Sequence, residues 1–329
     1  MDAMDRPELL ETDSAAFARL LLASLGLPAD PLRPASGWSN SVWLAPAHVV
    51  RLSSGRFRAA YAHERAVLAL LSPAIPHAET IASGQVGRRE WMILRRVEGR
   101  PLREAWPSMT ESQRRDAVDS LGHVLLAIHD TLLPKGFHNP WLDDALAPGG
   151  NIKDAYHAPP DRYRQLLDAA ATVPGVDRAF LQTVGRFIEQ RLPAFSQDYT
   201  VLVHGDFHFA NLLWDGTRVS AVLDFESARP AARDLDLDTL LRFVRAPDQE
   251  SAPGDQWVLT ARDLASVPRW LMRVYPTLFS HPHLTERLEV YEALWQLVQL
   301  FHFPPDVGPL DPWGALKLLL TTDNNWARF

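Results

Sequence analysis

The chain contains no cysteine, which excludes disulfides, thiolate metal sites and thiol nucleophiles and makes a reducing cytoplasm the expected compartment. Lysine is almost as scarce: Lys135, Lys153 and Lys317 are the whole complement of 329 residues. Positive charge is outnumbered, with 33 Lys and Arg against 40 Asp and Glu, a formal net charge of −7 and a pI near 5.9. That balance speaks against nucleic acid as a partner, because nucleic-acid-binding faces are basic. Apolar runs all fall short of the ~20 residues that cross a bilayer, so no membrane partner is expected. The apolar stretch 15–27 follows Asp2, Asp5, Glu8, Glu11 and Asp13, which does not suit a signal peptide. Internal repeats and low-complexity tracts are missing as well. What remains is a folded globular composition: 47% apolar residues, 11 tryptophans and enough chain for two lobes or domains.

The most informative segment is 201–238, VLVHGDFHFANLLWDGTRVSAVLDFESARPAARDLDLD. Val201-Leu202-Val203 reads as a strand that leads into His204-Gly205-Asp206, and Asn211 follows on the same loop. Two further apolar runs, 212–214 and 219–223, flank Asp215-Gly216, the signal of a hairpin. Its return places Asp224 close to Asn211 and to the loop of Asp206. Oxygen ligands gathered this way suit phosphoryl transfer through magnesium. Magnesium is a hard octahedral ion satisfied by one or two carboxylates, amide oxygen, water and phosphate oxygens, which fits Asn211 and Asp224. A separate carboxylate, Asp206, then accepts or orients the proton of a hydroxyl attacking a γ-phosphoryl group. Other readings exist. Asp206 or Asp224 could serve as a turn or cap residue. A metal hydrolase could use His204-x-Asp206-x-His208, since alternate residues share one strand face. No second histidine-rich cluster in the sequence completes a transition-metal shell, and His204 then reads as a packing residue that holds the loop.

The pattern His-x-Asp-x4-Asn, a strand, then Asp224-Phe225-Glu226 is shared with the kinase catalytic loop and metal-binding segment. His204-Gly205-Asp206 and Asp224-Phe225-Glu226 resemble the aminoglycoside phosphotransferase and choline kinase-like family of small-molecule kinases. Protein kinases carry His-Arg-Asp and Asp-Phe-Gly instead. The resemblance implies an α+β, two-lobed protein kinase-like fold. A small N-terminal β-sheet lobe with a helix pair would span 1–97, with a hinge about 95–101 and a larger, mainly helical catalytic lobe over 98–329. It implies Mg²⁺, with ATP or GTP as cosubstrate. Asp206 would be the catalytic base or orienter, Asn211 and Asp224 metal ligands, and Glu226 an aid to metal or substrate through water. Asp234, in Asp234-Leu235-Asp236, resembles the family aspartate that steadies the loops of the site, although Arg229-Pro230-Ala231-Ala232 replaces the usual Gly-Asp-Pro.

The first hundred residues fit such a lobe. A helix is expected over 14–25, ended by Gly26 and Pro28, then strand, turn and strand over 36–44 and a strand over 48–52. A helix over 58–71 contains Glu64, and a strand over 91–97 closes at Glu98-Gly99-Arg100-Pro101. Kinases hold the α- and β-phosphates with a strand lysine paired to a helix glutamate. With no lysine here, Arg51 is the natural substitute and Glu64 its partner; the alternative is an exposed ion pair of little worth. Gly37 lacks the companions of a G-x-G-x-x-G loop, so Ser36, Ser39, Asn40 and Ser41 offer the phosphate donors instead. Arg96 and Val97 on the hinge strand are placed to meet a nucleotide base by position alone.

Helices are expected over 111–129, 161–171 and 178–192, with His129 a structural residue behind the catalytic loop and 140–160 a long loop at a substrate rim. After 233 more helices follow, and Trp295, Trp313, Asp323, Asn324 and Trp326 suit either acceptor contact or core packing. The expected reaction moves a γ-phosphoryl group to a hydroxyl of a small molecule. A cationic acceptor such as an aminoglycoside antibiotic suits an acidic chain. A cellular amino alcohol or sugar, and a catalytically silent ligand-binding relative, are the alternatives. Neither the acceptor nor an oligomeric state is specified by the sequence.

Overall fold

The computed structural model describes residues 13–35, 40–196, 200–248, 259–305 and 310–321. Helix α1 (Ser14–Ser24) begins where the Asp13 carboxylate accepts the Ala16 N–H at 2.9 Å. Its Phe17, Ala18, Leu21 and Leu22 recur at helical spacing and bury against one face of a sheet. That sheet is antiparallel, in the order β1 (Arg33–Ala35), β2 (Ser41–Leu44), β3 (His48–Leu52), β5 (Arg89–Arg95), β4 (Thr80–Val86). The two-residue period of a strand sorts β3: Val50 and Leu52 enter the α1 core, whereas Val49 and Arg51 line a cleft on the opposite face. Helix α2 (Ala60–Leu68) packs on β5 and buries Tyr61, His63 and Glu64.

The larger lobe is mainly helical. It holds α3 (Glu111–His129), α4 (Pro140–Leu146), α5 (Tyr163–Ala170), α6 (Arg178–Arg191), α7 (Asp234–Arg245), α8 (Val267–Val274), α9 (Leu284–Gln299) and α10 (Pro312–Thr321). Thr110 and Gln113 start α3 with a reciprocal capping box. Among the helices lie β7 (Thr200–Val203) paired with β10 (Arg229–Ala232), and the hairpin of β8 (Leu212–Trp214) and β9 (Val219–Val222). The entering chain, β6 (Arg100–Pro101), pairs with β8, and Val222 N–H donates to Pro76 O at 2.8 Å. The hairpin is therefore bonded to chain from both lobes, in the two-lobed kinase-like arrangement. Among the described residues no helix is long and apolar enough to cross a membrane.

Several elements differ from the sequence reading: the first strand of the pair expected over 36–44 lies at Arg33–Ala35, and the strand expected over 91–97 runs over Arg89–Arg95, so Arg96 and Val97 follow its end. Residues 140–160 are not a bare loop: Asn139 accepts the Leu142 N–H at 3.2 Å and Pro140 opens α4. Segment 229–232 is an edge strand, where a proline is tolerated. Strand β4 is only half buried along its length, so the alternation that marks a strand is weak there. Ser36, Gly37, Ser39, Asp323, Asn324 and Trp326 lie outside the described residues.

Helices α7 and α9 bury charge as well as apolar surface. Arg287, fully buried on α9, forks onto Asp234 of α7 (Nη2 to Oδ1 2.8 Å) and donates to Ala194 O at 2.9 Å. Asp234 is thus spent on helix packing. A buried pair broken on one side strands the other charge, at a cost of about 3–5 kcal/mol. Arg287→Ala is expected to lower unfolding free energy by about that amount, measured by urea denaturation; a loss no larger than that of an exposed arginine would contradict the assignment.

Candidate active site

The loop after β7 is fixed by one carboxylate. Asp236 accepts the backbone N–H of His204 at 2.9 Å on Oδ2 and of Gly205 at 2.8 Å on Oδ1. Gly205 has φ +81°, and an added Cβ would press on Ser227 O, so only glycine fits. Behind Asp236, His129 Nε2–H donates to the same carboxylate at 3.0 Å, and His129 Nδ1 meets the Tyr275 hydroxyl at 2.9 Å. Burial pushes the Asp236 carboxyl up, but the His129 bond and the loop N–H groups pull harder and leave it below the usual range. The sequence motif pointed at Asp234; the structure gives the loop contact to Asp236, two residues along the same acidic run.

His204 pins two segments together. Its Nε2–H donates to Leu223 O at 2.9 Å, while Nδ1 accepts the Asp206 N–H at 3.2 Å. Both ring nitrogens are thus engaged, so the hydrolase reading loses one of its three ligands. The ring also lies 4.7 Å from that of Phe225. Asn211 closes the arrangement: its side-chain amide donates to Asp206 Oδ2 and to Asp206 O, both at 2.9 Å, and its backbone carbonyl accepts the Leu223 N–H at 2.8 Å. Asp206 Oδ1 lies 3.3 Å from His208 Nε2. Burial alone would raise the Asp206 carboxyl; the His208, His204 and His157 imidazoles outweigh it and hold it well below the usual carboxylate range.

Asp224 follows β9 in the left-handed region, φ +65°. A non-glycine residue held there marks local strain of the kind found at functional sites. Arg51 meets it from the sheet lobe: Nη2 is 2.7 Å from Asp224 Oδ1, and Nη1 is 2.7 Å from both oxygens of Glu64. Glu226 Oε2 is 3.8 Å from the same guanidinium and 3.4 Å from the Asn40 amide. Glu64, Asp224 and Glu226 present oxygens within 4.8 Å of one another. Burial and the Asp224 carboxylate push Glu226 well above the usual range, and burial likewise raises Glu64 against the pull of Arg51. Clustered hard oxygens of this type fit Mg²⁺ and do not fit a soft metal. The backbone around Glu226 is held from outside: its carbonyl accepts from Asn139 Nδ2 at 2.9 Å and Trp141 Nε1 at 2.7 Å, and His63 Nε2 meets Ala228 O at 2.7 Å. The Asn139-Pro140 cap signal could have disclosed the first of these; His63 and Trp141 carried no signal.

These groups line one end of a cleft of about 680 Å³ between the lobes. Val42, Leu44, Val49, Ala78 and Leu94 line it from the sheet lobe and Leu213 and Val222 from the hairpin, giving it apolar walls. Val97 and Arg96 line it too, but the Arg96 backbone N–H already donates to Ala47 O at 2.9 Å, which leaves no backbone donor of Arg96 for a base. Asp236→Ala strands two buried N–H groups and frees the loop. It should lower kcat about 100-fold with nucleotide KM little changed, since small misplacements carry such costs. Because the Asp236 carboxyl is depressed, its stabilisation is complete at neutral pH and lost as pH falls through its folded pKa. The variant should therefore also show a shallower acid loss of stability; unchanged kcat and acid profile would contradict the anchoring role.

A sequence model of the phosphotransferase enzyme family, APH, matches residues 31–271. No curated protein sequence matches the chain. Among solved structures, a thermostable mutant of aminoglycoside phosphotransferase APH(4)-Ia, in a ternary complex with AMP-PNP and hygromycin B, is 21% identical with a TM-score of 0.60. That match covers 93% of this chain and 97% of the other. The streptomycin-ATP-APH(2'')-IIa ternary complex is 17% identical, covering 85% of this chain and 87% of its own, with a TM-score of 0.57. ADP-bound APH(2'')-Ib is 18% identical, covering 89% and 92%, with a TM-score of 0.58. At these identities the structural likeness shows the fold, and the family match spans most of the residues: the chain belongs to the phosphotransferase enzyme family.

Proposed function

We propose that the protein is a magnesium-dependent kinase that moves the γ-phosphoryl group of a nucleoside triphosphate, ATP or GTP, to a hydroxyl of a small molecule. The observation that carries this reading is the joint placement of Asp206, Asn211 and Asp224 by His204 and the Leu223 backbone at the end of an apolar cleft. In this reading Asp224, Asn211 and Glu226 hold Mg²⁺, which when bound would neutralise charge on the β- and γ-phosphates. Arg51, aligned by Glu64, supplies the remaining positive charge toward the phosphates, with a planar fork where a lysine would offer a point charge. Asn40 lies at the phosphate end of the cleft, and Val97 beside the base. Asp206 receives the acceptor hydroxyl. Asp206 then orients the hydroxyl by accepting its hydrogen bond or takes its proton as the base. We place the lobe boundary at residues 98–101, where the chain joins the hairpin, and the enzyme in the cytoplasm, consistent with the absence of cysteine.

Two acceptor classes compete. Hygromycin B, streptomycin and gentamicin accompany the structurally similar enzymes, which supports an aminoglycoside-type antibiotic and a resistance role. A cellular hydroxyl metabolite, an amino alcohol or a sugar, is the alternative. Asp206→Ala is expected to cut transfer by about 10²–10⁴-fold while binding of nucleotide persists, checked by labelled-phosphate transfer and by fluorescence titration of a nucleotide analogue. Undiminished transfer would remove Asp206 from the mechanism.

A further inference from the structure

The loop of Asp206 carries a second histidine besides His204, with bonds that the anchoring of the loop does not require. His208 stands two residues past Asp206 in extended backbone, φ −151°, and opens the single 3₁₀ turn Phe209–Asn211. Its Nδ1 accepts the Ala210 N–H at 3.2 Å. A neutral imidazole has one lone pair and one N–H on its ring nitrogens, so that bond puts the proton on Nε2. Nε2 faces Asp206 Oδ1 at 3.3 Å. Such a distance is long for a hydrogen bond, as catalytic hydrogen bonds often are before a substrate is seated. The other carboxylate oxygen, Oδ2, accepts from the Asn211 side chain at 2.9 Å.

The imidazole is also backed by packing. Phe243 of α7 stacks on it with ring centres 5.5 Å apart and planes 7° from parallel, and the same Phe243 ring lies 5.3 Å from that of Phe209. Phe243 follows Asp236 by seven residues, about two helical turns, so both project from one face of α7. Asp236 fixes the loop ahead of Asp206, and Phe243 supports the turn behind it. The His208 side chain is 10% exposed, whereas that of Asp206 keeps 39%. The carboxylate is therefore accessible from the cleft while the ring beside it is packed. A cap on the 3₁₀ turn would account for the Ala210 bond, and it leaves the direction of Nε2 unexplained.

We propose that His208 is a positioning residue for Asp206: its Nε2–H and the Asn211 amide take one carboxylate oxygen each and fix the plane in which the acceptor hydroxyl is received. The proposal rests on the phosphotransferase reading of the same site and adds a residue to it. A single donor would leave the carboxylate free to turn about its Cβ–Cγ bond; two donors stop that rotation, and each oxygen keeps a lone pair for the hydroxyl. His208 is not itself the base. Its one ring lone pair is spent on the Ala210 N–H, so a proton leaving the hydroxyl as the oxygen–phosphorus bond forms goes to Asp206. The same two contacts take a second ligand from the hydrolase reading of His204-x-Asp206-x-His208.

Two substitutions separate the two bonds of His208. An asparagine oxygen falls where Nδ1 stands and its amide stops short of Asp206, so His208→Asn keeps the Ala210 bond and loses the donor. A glutamine amide extends to the place of Nε2, so His208→Gln keeps the donor and loses the cap. Turnover is measured with Mg²⁺ and labelled ATP, with hygromycin B, streptomycin or water alone as acceptor. His208→Asn is expected to lower kcat about 10–100-fold with nucleotide KM unchanged, and His208→Gln to stay within about threefold of the unsubstituted enzyme. Thermal midpoints should rank the other way, with the glutamine variant lower because its cap is lost. A kcat for His208→Asn equal to or above that of His208→Gln, or a loss confined to nucleotide KM, would overturn the proposal and leave the phosphotransferase reading standing. Absence of both transfer and nucleotide hydrolysis in the unsubstituted enzyme would overturn that reading, and this proposal with it.

Discussion

One guanidinium sets against three carboxylates. Arg51 leaves the sheet lobe on β3, takes both oxygens of Glu64 and one of Asp224, and stands 3.8 Å from Glu226. Counted formally, the cluster carries an excess of negative charge that Arg51 alone does not cancel, and burial raises the cost of leaving it so. The pressure on Glu226 and Glu64 toward the neutral form is the physical symptom. Hard oxygens and an excess of formal negative charge are what a divalent cation requires, and the magnesium proposal rests on them. The same contact also joins the lobes, because Arg51 and Asp224 belong to different ones.

The rest of the site is arranged so that this cluster and Asp206 keep a fixed relation. Asp236 holds the loop from behind, His204 ties that loop to Leu223, and Asn211 joins Asp206 to the same strand end. Around the edge, Arg56 of the sheet lobe donates to Asp154 at 2.6 Å and lies near Tyr156, a second contact between the lobes. Short polar contacts of this kind are worth little one by one on a surface. Buried and shared among three segments, they preorganise a charge pattern that the reaction requires.

Much of this was written in the sequence, and the exceptions have physical causes. The hairpin followed from Asp215-Gly216 between apolar runs, and Arg51 from the shortage of lysine, because both depend on local signals. Asp236 was masked by Asp234: three acids alternate at the start of α7, and only packing decides which meets the loop and which meets Arg287. Strand β10 was hidden by Pro230, and β4 by a half-exposed face. The pairing of Asp234 with Arg287 was not legible, because it depends on which helix lies against which.

The account depends most on the claim that Asp224, Asn211 and Glu226, beside the Arg51–Glu64 pair, form a magnesium site. Thermal unfolding of the unliganded protein across a Mg²⁺ titration tests it directly, because a ion that binds the folded state raises the midpoint with concentration. The midpoint is expected to rise with Mg²⁺ and to respond far less in Asp224→Asn. A midpoint indifferent to Mg²⁺, or an equal rise in the variant, would contradict it.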